Sequence, residues 1–578
     1  MKLSNIKYIT LSVIVGLALT SCEDFLDRPN EDGYNDGNYF QNDAQTKAST
    51  NTLYNSPWYD FLSRGFFKIP EVMSGNLYMG GEPYMTFTVN GTDDALVWTS
   101  WSLWAVNAQA NTIYNRLKTA NASDAVKSAA MGECLAWKAM AYFYLVRIFG
   151  DVPIVHDNSS EIAAGDYNNK VKVNKADVYE YIIMTLEKAI DLLPEKNDAG
   201  RIDRWAAKGL LAKVYLTKSG VNANGNGQRD ASDLANAAKN AKEVIQESGK
   251  KLMSNYEDLF KGENNKCEES LFGWRWSAEQ ANYTCGNCLM SELAMSGFDE
   301  FQSWGDWTAP STDLQDAFGV SPLDDPSQRS DVDKRRKATM MMAGDTYSQW
   351  WQDKGGFDYL RFLYDKDYAP GSNEGLQSAT GANVAKHQYG NNSDHQKTFG
   401  ISAAKQCSSQ ATHVLRLADV YLVYVEAMIG NNTSTSDATA LDAFYQVRHR
   451  AVAGFNMPTS VTLDQVLKER RLELALEGDY WFDLVRMSYY DMNKAINTIK
   501  NQRRNGYYGL GDLYKSYYDS KRTTWVVDNS KMYYETNTPI PNVTASVFTL
   551  PFPDEDVVYN PHLLEASQHV DVRSEFAY

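Results

Sequence analysis

Between residues 133 and 246 the chain carries four apolar stripes in succession, each repeating at mostly three- and four-residue steps. The first sets Leu135, Ala139, Tyr142, Phe143, Val146 and Phe149 on one side and stops at Gly150, with Pro153 beyond it. Asn174 and Asp177 can cap the second, which runs through Val178, Ile182, Leu186, Ala189 and Leu193 to Pro194. The third and fourth fall over residues 204–217 and 234–246. A striped helix cannot bury its apolar face alone, so consecutive stripes joined by short connections must stack on one another. The chain is therefore expected to be mainly α, with tetratricopeptide-like helix pairs whose repeat consensus is only loosely met.

Helical order is expected again over residues 413–428, 440–450 and 463–476, and Thr462 with Gln465 has the spacing of a capping box at the start of the last. Residues 249–395 differ: Trp274, Trp276, Trp304, Trp307, Trp350 and Trp351 lie among Gly, Asp, Asn and Ser without helical period. Such loop-rich insertions on a rigid frame are where recognition usually resides. Towards the end, residues 547–550 can form a short strand, and Pro551, Pro553 and Pro561 impose a turn-rich path. The scaffold is thus assigned to approximately residues 40–248 and 396–500, a large ligand-face insertion to 249–395 and an irregular segment to 501–578.

At the N-terminus, Lys2 and Lys7 accompany an apolar run over residues 9–19. The run is shorter than the roughly 20 residues a spanning helix needs, so residues 1–21 read as a secretory signal. Leu19-Thr20-Ser21-Cys22 resembles a bacterial lipobox, which makes Cys22 the expected lipidated residue and residues 22–578 a single body tethered to a membrane by acyl chains.

Chemical signatures are sparse. A net charge of −17 argues against a nucleic-acid-wrapping surface. Cys285-Gly286-Asn287-Cys288 has metal-ligand spacing, but no second pair or nearby histidine completes a zinc set, so two inert thiols or a local disulfide is expected. Asp313, Asp316, Asp331 and Asp333 depart from calcium-loop spacing and have Arg335 and Arg336 beside them. Glu469 and Glu473 are one helical turn apart, yet Arg470 and Arg471 would keep both ionised, which suits buried ion pairs better than acid catalysis. No catalytic residue, metal or cofactor is assigned.

Four segments resemble the SusD/RagB family of nutrient-binding outer-membrane lipoproteins. They are Cys22-Glu23-Asp24-Phe25-Leu26-Asp27; Gly132-Glu133 with the helix ending Phe149-Gly150-Asp151-Val152-Pro153; Leu415-Arg416-Leu417-Ala418-Asp419-Val420; and Glu469-Arg470-Arg471-Leu472-Glu473 continuing through Asp479 to Trp481-Phe482-Asp483-Leu484-Val485-Arg486. The family usually has Arg where Asp479 stands. The resemblance implies a SusD-like helical scaffold without hydrolase activity, held on the extracellular face of the outer membrane by lipid. It also implies a SusC-like TonB-dependent transporter as partner, over whose mouth the lipoprotein acts as a lid.

Sugars present C–H faces and a rim of hydroxyls, so a receptor wants exposed rings beside carboxylate, amide or guanidinium groups. With 36 Tyr, 22 Phe and 14 Trp, the chain has rings to spare for such a surface. Tyr78, Trp98 and Trp101 form one candidate group, near Asn76, Asp93, Trp104 and Asn107, in a region that the resemblance places beside the ligand face. Trp98, lying before any helical register, is the stronger surface candidate. Tyr283, Trp304 and Trp307, with Asp299, Asp306 and Gln302, form the second group. Glycan or oligosaccharide binding is the leading expectation, peptide capture the second, and a surface glycoside hydrolase stands well behind, with a structural adhesin as a further rival.

Overall fold

The computed structural model describes residues 39–165, 168–279, 283–300, 303–536 and 542–578. Cys22, the signal segment and Gln302 therefore lie outside the described residues. The chain is mainly α, with 21 α-helices and only two-stranded β pieces among those residues. No described helix is long and apolar enough to cross a membrane.

The scaffold begins with α1 (Asp94–Leu117) and α2 (Asp124–Phe149) and continues through α3 (Lys175–Leu192), α4 (Arg204–Lys218) and α5 (Ala231–Glu247), each packed on the next. Helix α2 starts nine residues before its apolar stripe would suggest and is almost wholly buried from Gly132 to Phe149, because α1 and α3 cover opposite sides of it. The caps are local and physical. Asn174 accepts from the Asp177 amide, and Gly150 takes the positive φ of 74° that closes α2.

The chain leaves the stack after α5 and returns as α6 (Leu417–Ile429), which packs against both α4 and α5, followed by α7 (Ala438–Ala451), α8 (Leu463–Glu473) and α9 (Tyr480–Tyr490). Gly209 on α4 permits this approach: a Cβ there would stand 3.0 Å from Val420 and 3.1 Å from Leu271. The excursion is tied at its neck by an antiparallel ladder in which Ser270 pairs with Arg416 and Trp274 with Thr412. This corrects the expected helix over residues 413–428. Its first residues, Thr412–Arg416, are a strand, and His413 is held there by Ser270 Oγ at 2.8 Å and the Leu259 carbonyl at 2.7 Å. The expected capping box on α8 is present, with Thr462 and Gln465 bonded reciprocally.

Two apolar cores result. The larger joins the helices, and the smaller gathers Phe298, Trp350, Trp351, Phe357 and Phe362 inside the excursion. The segment after residue 500, expected to be irregular, supplies a helix, Leu510–Asp519, whose Leu510, Leu513, Tyr514 and Tyr517 close the smaller core. The expected strand at 547–550 is instead a 3-10 turn, Ala545–Phe548: it finds no strand partner, and Leu550 donates to the end of α2 at Ile148.

Charged side chains fill the space between α4, α6, α8 and α9. Arg470 donates to Asp419 at 2.6 Å and to Asp479 and Asp483 at 2.8 Å each. Lys213 meets Asp419 and Asp479, while Arg486 bridges Asp483 to Glu426, which Arg229 also holds. A second network centres on Glu473, shared by Arg335, Arg416 and Arg450. The expected ion-pair use of Glu469, Arg470 and Glu473 is thus seen directly, and Arg471 reaches out to Asp313 at 2.7 Å.

Candidate functional site

The exposed rings are set on three elements that meet at one face. Asp93 caps α1 through the Leu96 amide, so helical register already holds at Trp98. The sequence-based placement of Trp98 ahead of the register is corrected accordingly, and Trp101, at 60% exposed against 38% for Trp98, is the more open ring. The two indoles meet edge to face at 5.7 Å. Trp104 turns partly inward onto Tyr142.

A tight π-helical turn, Phe61–Gly65, packs on α1. Gly65 is required: a Cβ would lie 2.0 Å from Thr99 Oγ1. This close packing brings Arg64 beside α1, where it pairs with Asp94 at 3.4 Å, the carboxylate that accepts from Trp98 Nε1 at 2.8 Å. Arg64 also reaches two further acids electrostatically. Burial pushes the Asp60 carboxyl up, with Arg64 opposing it. Burial likewise raises Glu292, opposed by its bond from Trp304 and by Arg64 and Lys68. Trp304 Nε1 donates to Glu292 at 2.9 Å. Arg64 therefore stands between the two ring groups that sequence reasoning treated separately. Nothing in its sequence surroundings marks it.

Lys68 extends the band to Glu82 at 3.2 Å. Glu82 follows a short strand, Leu77–Tyr78, that pairs with Ala309–Pro310. Two residues beyond that pairing on either side lie Gly80, where a Cβ would meet nothing within 4 Å, and Trp307, 65% exposed. Tyr78 is half-buried; burial raises its phenol, and Glu535 and Tyr508 add to the effect, so the pair of Tyr507–Tyr508 with Tyr533–Tyr534 adjoins it. There Tyr508 and Tyr533 stack at 4.7 Å with both rings exposed. These tyrosines went unnoticed in the sequence, although the repeated Tyr-Tyr dipeptides were a usable signal. Tyr283 is exposed and stands edge-on against Tyr59 at 5.3 Å.

Several polar residues nominated with the rings serve packing instead. Asp299 is buried and accepts from the Tyr389 hydroxyl at 2.8 Å. Asp306 is buried and accepts from Ser296 and, at 3.0 Å, from Asn373. Both fold the excursion onto itself, since short loops must satisfy their own polar backbone and hydroxyl groups. Asn76 bridges Glu71 and Arg471, Asn107 donates to the Val155 carbonyl, and Asp93 is spent on its cap and on Tyr84. Cys285 and Cys288 are buried free thiols, Cys288 beside Tyr59. Asp313, Asp316, Asp331 and Asp333 each pair with an arginine.

The face thus offers flat apolar surfaces edged by Asp94, Arg64, Lys68 and Glu82. That arrangement can pack against sugar rings and hydrogen-bond their hydroxyls.

Comparison with known proteins gives a consistent picture. The SusD family matches residues 242–568, and a second family, described as starch-binding and associating with the outer membrane, matches residues 75–216. A SusD-like protein of Bacteroides ovatus is 34% identical over 95% of this chain and 95% of its own. The starch-binding protein SusD of Bacteroides thetaiotaomicron is 26% identical, covering 67% of this chain and 70% of that one. A crystal structure with xylogluco-oligosaccharide superposes with a TM-score of 0.76 at 31% identity, over 91% of this chain and 99% of the other.

Proposed function

The chain belongs to the SusD family, whose members are binding proteins rather than enzymes, and from that premise we propose that it captures a glycan on the face built by Trp98, Trp101, Trp304 and Trp307. The observation that carries this reading is the exposure of Trp98, Trp101 and Trp307, with Trp304 half-buried beside them, next to the ion pairs Arg64–Asp94 and Lys68–Glu82. Exposed indoles cost solubility unless a ligand uses them, and a sugar ring matches their size and flatness. Tyr78 and Tyr283 extend the platform at its edges. The relative crystallised with a xylogluco-oligosaccharide makes a β-glucan bearing short side branches the first ligand to try.

Outer-membrane association follows from the family. The finer placement, an acylated Cys22 holding residues 22–578 on the extracellular face and delivering the ligand to a SusC-like TonB-dependent transporter, is part of this proposal and is supported by the lipobox-like Leu19-Thr20-Ser21-Cys22.

Calorimetry of the full chain in detergent against xyloglucan oligosaccharides, laminarin, starch oligosaccharides and peptides tests the ligand. Saturable binding of a glycan that Trp98→Ala and Trp101→Ala weaken is expected. Binding confined to peptides, or glycan affinity untouched by both substitutions in folded protein, would remove the basis of the proposal. Cys22→Ser should release the chain from membranes, and gentle extraction of the unaltered chain should bring a large barrel with it.

A further inference from the structure

A cavity sharing no residue with the aromatic face lies where the turns after α5 meet the excursion and the loop leading back to its neck. Its walls are rings. Trp350 stacks on Tyr347 at 4.4 Å and 24°, and Phe260 and Phe399 also line it. Its buried polar lining is two carboxamides. Gln388 is 2% exposed, and neither its oxygen nor its nitrogen has a partner. Gln410, 3% exposed, donates to the Phe260 carbonyl at 2.8 Å and leaves its own oxygen without a partner.

Buried amides without partners are destabilising, and native proteins keep them where something else completes them. The cavity volume is about 80 Å³, several times the roughly 10–15 Å³ needed to admit one water, so it has room for more than one water or for a compact ring. The chemistry of the lining narrows the class. The charges at its rim balance, Lys261 and Lys337 standing with Glu257 and Glu263, and Lys261 is further held by Asp258 at 2.6 Å. A phosphate or a free amino acid would bring charge for which the buried groups offer no counter-ion. A carboxamide instead presents two donors and an acceptor, the complement of hydroxyls that both give and receive. The adjacent ring faces suit a C–H surface.

We propose that this cavity is a second binding site, which takes one neutral sugar ring held by Gln388 and Gln410 against the Trp350–Tyr347 stack. It is separate from the platform and stands whether or not that platform binds a glycan.

The test uses the full-length chain in detergent with D-glucose, D-galactose and D-xylose, read by saturation-transfer NMR and titration. At least one sugar should bind, and Gln388→Met, which keeps the length but removes the hydrogen-bonding groups, should weaken it about tenfold. Gln328→Met, at an exposed glutamine outside both sites, should leave that binding unchanged. Gln410→Met serves as the second variant if Gln388→Met does not fold, with thermal unfolding as the control. The proposal is overturned if no sugar binds, if binding persists undiminished in a folded variant, if only L-glutamine or L-asparagine binds, or if crystals soaked in the sugar hold ordered water alone at Gln388.

Discussion

Replacing Arg470 by Met tests the reading of the scaffold most sharply. Its guanidinium is 99% buried and makes three separate carboxylate bonds of 2.6–2.8 Å. The cluster around it balances: Asp419, Asp479, Asp483 and Glu426 face Lys213, Arg229, Arg470 and Arg486. Removing Arg470 leaves four acids to three bases, and breaking such a buried pair costs about 3–5 kcal/mol. With an unfolding entropy of roughly 2.1 cal/mol/K per residue, a chain of 578 residues should lose roughly 2–4 °C in Tm.

The loss has a pH signature. In the native chain burial pushes Asp419 and Asp483 up, but Lys213, Arg470 and Arg486 outweigh it and hold both below the usual range. Their stabilisation is present above the unfolded pKa and disappears as pH falls through the lower folded values. Asp479 already lies above its ordinary value, through burial and its acidic neighbours. In the variant the orphaned carboxylate should titrate above its unfolded value, so it destabilises at neutral pH and is relieved on acidification. Each pH unit below that raised value recovers about 1.4 kcal/mol per proton taken up. Calorimetry of both proteins at pH 7 and 5 should therefore show a deficit that shrinks at the lower pH. An unchanged Tm at pH 7, or a deficit that widens on acidification, refutes the compensated-network reading.

Trp98→Ala and Trp101→Ala should each weaken the cognate glycan by about 0.5–1.5 kcal/mol with Tm unchanged, measured by calorimetry. Gly65→Ala should destabilise the fold by roughly 1–3 kcal/mol through its clash with Thr99, and Thr99→Ala in the same chain should recover part of that, read from thermal melts. Burial holds His387 and His413 down at about 4. The unfolded chain therefore takes up their protons first, and stability should fall as pH drops from about 6.5 towards 4, by about 1.4 kcal/mol per histidine per unit. Denaturant titrations at pH 7 and 5 check this, and imidazole NMR should show both rings neutral at pH 5.5.

What the sequence revealed depended on how local the cause was. Stripes such as Val178, Ile182 and Leu186, the Thr462–Gln465 box and the alternating charges around Arg470 act within a few turns of helix, and each appeared where its spacing suggested. The strand Thr412–Arg416 continues the apolar period of α6, and only its partner, some 140 residues earlier, makes it extended. Helix α1 was obscured only in its first turns: Leu96, Leu103, Val106, Ala110, Tyr114 and Leu117 keep helical steps on its buried face, but buried Thr99, Ser100 and Ser102 opposite exposed Trp98 and Trp101 blur the contrast there. At the face, rings were legible as a type of surface, but Arg64 was not, since a lone arginine in a turn acquires meaning only from what folds against it.

Arg335 and Lys386 belong to the excursion, whereas Glu469, Glu473 and Glu477, which they grip, belong to the helical frame. The joint is accordingly keyed by charge in a dry seam. A graft that exchanges the whole excursion for another, to change the ligand preference, must carry both cations across. Left behind, they would leave Glu469, Glu473 and Glu477 to Arg448, Arg416 and Arg450 alone and cut the ties across the joint, so the freely interchangeable stretches are those outside these two anchor points.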